Sequence, residues 1–346
     1  MPIGTIKTLR KVSVGIESVK GTAVAGTEQL FASAEIEPDY ELKRSETSLG
    51  VMVRNSGPTA LAKKAVGVRL RSDPNVGVTY EQLAWWLALT LSTPVTTGAG
   101  PYVHTFDPGA AGPWNQRAAT IRGRWTDGAN HEDLRCEYFT GSKLRLRGDM
   151  NGALQAELDG FARQMVDEAI SGAALPATLT PIMIGECSVF INDSFTLADV
   201  HTPAAGQFVG GTMKSFDLDL DVGQFPDWGV QGSLLFAEAK EREKSFTNRF
   251  TTLYESNAAN VGVAAERVKA ATVPQPMRFV TYSFTGPGNM KLRLIVAGKH
   301  EDGEIGPPRA DADGLDRVDW SILDHYDPTG TKLVKAVITN DDATAL

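Results

Sequence analysis

Cysteine is scarce. The chain has 346 residues and two cysteines, Cys136 and Cys187, too few for a disulfide scaffold. Both stand in strand-like runs, LRCEYF and ECSVF, where a small buried thiol is the expected role. Long apolar runs are missing as well. None approaches the ~20 residues that a membrane-spanning helix needs. The opening MPIGTIKTLRKVSVGIESVKG is basic but lacks the apolar stretch of a secretory signal. The expectation is a chain made and kept in a cytoplasm. A cationic excess is absent too. The formal net charge is -8. Residues 1–173 hold 19 Lys and Arg against 19 Asp and Glu; residues 174–346 hold 15 against 23, so the whole deficit (15 − 23 = −8) lies in the second half. That balance argues against tight phosphate binding, which needs clustered Lys and Arg.

The usual marks of catalysis are also missing. Of the histidines His104, His131, His201, His300 and His325, none pairs with Cys or His at metal-ligand spacing. There is no Gly-rich phosphate loop ahead of a Lys-Ser/Thr pair, and no Gly-x-Ser-x-Gly elbow. Asp311, Asp313 and Gly314 begin like a calcium loop, but its twelfth position is Ile322 instead of Glu. Arg147-Gly148-Asp149 reads as a hairpin bend. The expectation is a non-enzymatic protein with no catalytic residue, no metal and no cofactor.

What is present is strand. The composition is 42% hydrophobic and 22% charged, with 34 glycines, ordinary for a globular chain with many turns. AVGVRLR (65–71) alternates Val66, Val68 and Leu70 with Arg69 and Arg71, a half-buried strand. Further strands are expected in PYVHTFDP, RAATIRGRW, LRCEYFTGSKLRLRG, GALQAELDGFARQ, MIGECSVFINDSF, FVGGTMKSFDLDLDVG, GVQGSLLFAE, MRFVTYSF, MKLRLIVAG, LDRVDWSILDHYD and TKLVKAVITND. The clearest helix is YEQLAWWLALTL (80–91), with Thr79 as N-cap and Gln82 completing a capping box. Trp85 and Trp86 in it read as core. A second helical region is expected over about 247–270, weakened by Asn260 and Gly262. Ser171 to Pro181 is the best domain joint. It divides an arm (1–28), a first domain (29–172) and a second domain (180–346). The stretch 45–64 lacks periodicity and reads as a long mobile loop.

One pattern recurs. KLRLRGDMNGALQAELDGF (143–161) and SFDLDLDVGQFPDWGVQGSLLF (215–236) both read as a strand, a Gly-containing turn and a return strand. The first carries Lys143, Arg145 and Arg147; the second carries Asp217, Asp219 and Asp221. Period two puts Leu144 and Leu146, and Phe216, Leu218, Leu220 and Val222, toward a core, so both charged triplets face outward.

The N-terminal segment supplies a resemblance. Gly15-Ile16-Glu17, followed by Gly21-Thr22-Ala23-Val24-Ala25 and Thr27, resembles the opening of tail tube proteins of long-tailed bacteriophages. YEQLAWWLALTLSTPVTTGAGPYVHTF and the closing strand Leu333 to Asn340 resemble later parts of that family more loosely. The resemblance implies β-sandwich or barrel domains with a flanking helix, here in tandem. It implies self-association into stacked rings, a hollow tube in a virion tail, and assembly in the host cytoplasm. The implied partners are other copies, a tape measure protein and a tail terminator. DNA would pass through the lumen without specific binding. Gly15, Glu17, Gly21 and Thr22 would then belong to a ring-stacking arm, mobile in the monomer. The length and apparent doubling suggest three double-domain chains per ring; a repeat only one hairpin deep would instead give six chains per ring. The two charged triplets become candidates for the interface between neighbouring domains, basic face against acidic face. Plain solvation of both faces is the alternative. Asp217, Asp219 and Asp221 lining a DNA-repelling lumen is a third, opposed by the cations at the matching place. Competing functions are another tail part of related fold, such as a terminator, distal tail protein or collar, a carbohydrate-binding sandwich, or a secretion-needle tube subunit.

Overall fold

The structure, a computed structural model, describes residues 9–37, 42–43, 60–61, 65–109, 114, 116–126, 131–170, 174–176, 178–198, 208–210, 213–227, 236–254, 258–301, 305, 309–310, 316–324 and 333–341. The first half supplies β1 (Leu9–Ile16), β2 (Glu28–Leu30), β3 (Ala32–Glu37), β4 (Leu42–Lys43), β5 (Ala60–Leu61), β6 (Val66–Ser72), α1 (Leu83–Ala88), β7 (Val95–Thr97), β8 (Tyr102–Phe106), β9 (Ala119–Thr126), β10 (His131–Asp149), β11 (Gln155–Ala162) and β12 (Gln164–Asp167). The second half supplies β13 (Cys187–Asn192), α2 (Phe195–Ala198), β14 (Phe208–Gly210), β15 (Met213–Asp221), β16 (Gln224–Asp227), β17 (Glu238–Glu241), β18 (Ser245–Leu253), α3 (Ala258–Ala270), β19 (Arg278–Thr285), β20 (Lys291–His300), β21 (Arg309–Ala310), β22 (Asp316–Asp324) and β23 (Val334–Asn340). The fold is mainly β, and its ladders are antiparallel.

Period two explains the strands. In β6, Val66, Val68 and Leu70 are buried while Arg69 and Arg71 point out. Each such aliphatic side chain contributes about 1.5–3 kcal/mol by leaving water. The same alternation holds in β15 and β18. In β18 it overrides the helix expected from about 247, because Phe246, Asn248, Phe250 and Thr252 are buried and the residues between them point outward or are only half-buried. The helix begins only at Ala258 and runs through Gly262.

The first helix is shorter than its apolar stripe. All six residues of α1 are buried, Trp85 and Trp86 among them. The N-cap of α1 is Gln82, in place of the expected Thr79, and no side chain caps the helix; the Thr79 hydroxyl accepts the Gln82 N–H at 3.3 Å in the turn ahead of it. The Gln82 side chain, however, serves the strands. Its Oε1 accepts the Phe31 N–H at 3.0 Å and its Nε2 donates to the Gln29 carbonyl at 2.9 Å.

β10 explains how two sheet layers form from one strand. Its first part pairs with β9 and β12. Its second part pairs with β11 and β15. Between them lies Tyr138, with a left-handed φ of 51°, and a register shift at Gly141/Lys143. Such an irregularity bends a strand and lets it turn a corner between sheets.

The two halves use one pairing scheme. β2–β1–β9–β10–β12 in the first half is answered by β14–β13–β19–β20–β23 in the second. β3–β6–β11–β10 is answered by β15–β18–β22–β20. α1 follows β6 as α3 follows β18, and the β4–β5 and β16–β17 excursions occupy matching places. The matching strands differ from the sequence reading. β15 answers to β3, not to β10. β10 and β11 do form the hairpin expected over 143–161. Most of the return strand expected after Asp221 lies outside the described residues (228–235); the neighbours of β15 are β10 and β18.

The halves also interlock, so the boundary at 171–181 separates them less than expected. β8 from the first half pairs with β23 from the second. One apolar core runs from Val12 to Ile338. The joint itself is fastened: Tyr80 N–H donates to the Thr180 carbonyl at 3.0 Å, and Thr180 N–H to Glu81 Oε2 at 3.0 Å. On the second half, α3 is held by a buried ionic cluster. Arg278 Nε donates to Glu266 Oε2 at 2.7 Å, and its other arms reach Glu266 and Asp193. Burial pushes the Glu266 carboxyl up, but the His300 hydrogen bond and the Arg278 charge outweigh it and hold it below the usual carboxylate range.

Candidate assembly seam

β10 and β15 are neighbours in one sheet. Lys143 stands opposite Asp221, Arg145 opposite Asp219 and Arg147 opposite Asp217. The two triplets therefore do come together, but edge to edge within a single chain. The contact expected of them between subunits is here a seam between the two halves.

The ion pairs do not join direct opposites. Lys143 Nζ lies 2.9 Å from Asp219, and Arg145 grips Asp217 with Nε at 3.2 Å and Nη2 at 3.1 Å. Each cation reaches one row along, the diagonal that strand twist brings within range of long side chains. At the ends of the ladder, Asp221 takes Arg242 at 3.6 Å, while Arg147 is exposed. Hydrogen bonding and charge from Asp217 raise the Arg145 pKa.

The seam is the centre of a wider pattern that the sequence reading missed. On the same face, β6 contributes Arg69 and Arg71, β11 contributes Glu157 and Asp159, and β3 contributes Glu35. The rows run Glu35–Arg69–Asp159–Lys143–Asp221 and Arg71–Glu157–Arg145–Asp219. Sign alternates strand by strand. Arg69 lies 2.5 Å from Asp159 and 3.3 Å from Glu157, and Arg71 lies 3.1 Å from Glu35 and 3.2 Å from Glu157. The signal was readable: VRLR and AELD carry charges at period two, like the triplets that were singled out. What a single strand could not tell was which strands lie side by side. Chemically, the arrangement neutralises its own cations in situ.

A second device, a strap, crosses the seam. The β16–β17 excursion reaches from the second half onto the first, and Phe236 just ahead of β17 packs between Tyr138 and Phe161 with ring centroids 5.1 and 5.4 Å away. Ala239 N–H donates to the Tyr138 hydroxyl at 3.3 Å, and Trp114 N–H to Glu241 Oε2 at 3.1 Å.

The residues assigned to a stacking arm are placed differently from expectation. Residues 1–8 lie outside the described residues, as does most of 45–64. From Leu9 onward the segment is built into the sheet: β1 pairs with β9 along its whole length and with β2 on its other side, and Val12 and Val14 are buried. The polar, Gly-rich composition misled because one face of LRKVSVGI is apolar. The motif after it is a pinned loop. Glu17 is buried and its carboxylate accepts three hydrogen bonds: Gly21 N–H at 2.6 Å, Thr120 hydroxyl at 2.9 Å and Tyr138 N–H at 2.8 Å. Gly21 has a left-handed φ of 81°, and a Cβ there would collide with the Arg163 guanidinium, which donates to the Gly21 carbonyl at 2.5 Å. A Cβ on Gly15 would collide with the Ala25 carbonyl. Val24 N–H donates to Thr120 at 3.0 Å. Thr22 is exposed, its N–H bonded to the Val19 carbonyl at 3.0 Å.

No family model and no curated protein matches this chain. The seam, the strap and the pinned loop therefore carry the functional argument alone. Among the described residues no three His, Cys, Asp or Glu side chains form a group that could hold a metal ion, and no helix is long and apolar enough to cross a membrane. The loop at Asp311–Gly314 and the side chains of His131, His201 and His325 lie outside the described residues.

Proposed function

We propose that this chain is a wall segment of a hollow tube, the ring-forming subunit that tail tube proteins of long-tailed bacteriophages provide. One observation carries the reading. The sheet β3–β6–β11–β10–β15–β18–β22 runs without a break through both halves, with the apolar core on one side and the charged face on the other. The seam in its middle joins two units of the same pairing scheme. A chain of this kind is already two neighbouring wall units side by side, so three chains would complete a ring of six.

The charged face suits the lumen of such a tube. Its cations Arg69, Arg71, Lys143 and Arg145 are held by carboxylates, so a DNA duplex would find little to grip. Tape measure and terminator proteins would be partners inside the tube and at its end, and the virion tail would be the place of work.

Negative-stain imaging of the purified full-length protein tests this. The expected result is open-ended tubes whose top views show three chains with pseudo-sixfold symmetry. Discrete monomers at every concentration would refute the tube. Six equivalent chains per ring would refute the paired-unit wall.

A further inference from the structure

We infer that the cleft between the strap and the first half is a binding site for a small anion that also carries hydroxyl groups, the chemistry shared by sugar phosphates and sugar acids. The site lies within one chain and does not require tube formation.

The cleft encloses about 530 Å³, inside the range of roughly 300–1,000 Å³ found for small-ligand sites. One wall belongs to the first half. Lys20 comes from the loop after β1, Trp114, Gln116 and Ala118 stand ahead of β9, and Thr140 lies in β10. The other wall is the strap, with Gln224 of β16, Glu238 to Glu241 of β17, and Arg242 and Lys244 beyond it.

The buried part of the lining asks for a hydrogen-bond donor. Gln116 is 6% exposed. Its Nε2 donates to the Thr90 carbonyl, which fixes the orientation of the amide. Its Oε1 is then left without a partner among the described residues. A buried acceptor in that state is costly unless a bound group donates to it. Thr140 and Gln224 are buried in the same lining. A hydroxyl and an amide can each donate and accept, so the three together suit the hydroxyls of a polyol.

The exposed part is cationic. Lys244 is already engaged, with its Nζ 2.8 Å from Glu241 and 5.2 Å from the centroid of the Trp114 ring. Lys240 is held by Asp227 and Glu238. Lys20, by contrast, is exposed and has no ion pair among the described residues. The Arg242 side chain is 67% exposed and meets Asp221 at 3.6 Å, too far for a hydrogen bond. A chain of net charge -8 thus keeps two weakly engaged cations on one cleft, where an anion would gain charge-assisted hydrogen bonds. A bare anion would leave Gln116 unserved, and a neutral sugar would leave Lys20 and Arg242 unserved. A ligand with both groups serves all three.

Ligand-observed NMR titration of the full-length protein tests this, with glucose 6-phosphate, glucuronate, glucose and inorganic phosphate as probes. Glucose 6-phosphate or glucuronate should bind about tenfold more tightly than glucose or inorganic phosphate, and Lys20→Glu should weaken that binding by about tenfold. The tighter of the two acidic sugars tells whether a phosphate or a carboxylate is preferred. Gln116→Met should weaken the sugar arm and leave inorganic phosphate unchanged; Lys20→Glu, at an exposed position, decides the matter should the Met variant not fold. Inorganic phosphate binding as tightly as both acidic sugars would overturn the inference, as would glucose doing so. Silence from all four probes, or Lys20→Glu binding like the parent, would overturn it too.

Discussion

Tyr138 shows how much one position can carry. Its left-handed backbone turns β10 from one layer to the other, a conformation that costs a non-glycine residue about 1–2 kcal/mol. Its N–H is held by the Glu17 carboxylate at 2.8 Å, and its hydroxyl receives the strap at 3.3 Å. The Gly15–Glu17–Gly21 motif thus stabilises the corner from which the seam starts. Gly15→Ala should lower unfolding stability by about 1–3 kcal/mol, the usual cost of forcing atoms into a filled space. Thr22→Ala, at an exposed position in the same motif, should stay within about 0.5 kcal/mol of the parent. Urea unfolding midpoints would check both. Equal effects at the two positions would contradict the pinned-loop account.

Among elements, the β10–β15 seam is where charge and register act together. Its side chains are half-exposed, so single ion pairs there are worth only about 0–1 kcal/mol. Three like-charge rows are another matter, because each opposed pair repels at strand spacing. Changing Asp217, Asp219 and Asp221 together to Lys should destabilise the chain by about 1–3 kcal/mol on that basis. Changing Lys143, Arg145 and Arg147 together to Glu should do the same. The two sets combined should recover most of the loss, and added salt should shrink every difference. Chemical denaturation of the four proteins at low and high salt measures this. If the combined variant is as unstable as the sum of the two, the faces do not interact as pairs.

For the molecule as a whole, the interlock of the halves has a thermodynamic consequence. β8 lies against β23, the seam joins the front layers, and Phe236 is packed in a pocket of the other half. Neither half can open without exposing apolar surface of the other. Calorimetry of the monomeric chain should therefore give one cooperative transition, with calorimetric and van't Hoff enthalpies in agreement. Two resolved transitions would mean that the halves are independent domains after all.

The sequence by itself determined the strands, and for a physical reason. Side-chain direction alternates at every residue of a strand, so VRLR, KLRLR and DLDLD announce both the element and its buried face. It also determined that Lys143, Arg145 and Arg147 would face outward, as would Asp217, Asp219 and Asp221. Partnership was not legible there. A strand pairs through backbone groups that every residue shares, so nothing local in FDLDLD says whether its neighbour is the next strand in sequence, a distant one, or another chain. Only the tertiary structure decided that β15 lies beside β10, that β8 belongs to the second half's sheet, and that Glu17 holds Tyr138. The corner at Tyr138 sets these together. A bend there sends β10 into the front layer, and the layer's remaining edge selects the acidic strand that complements it.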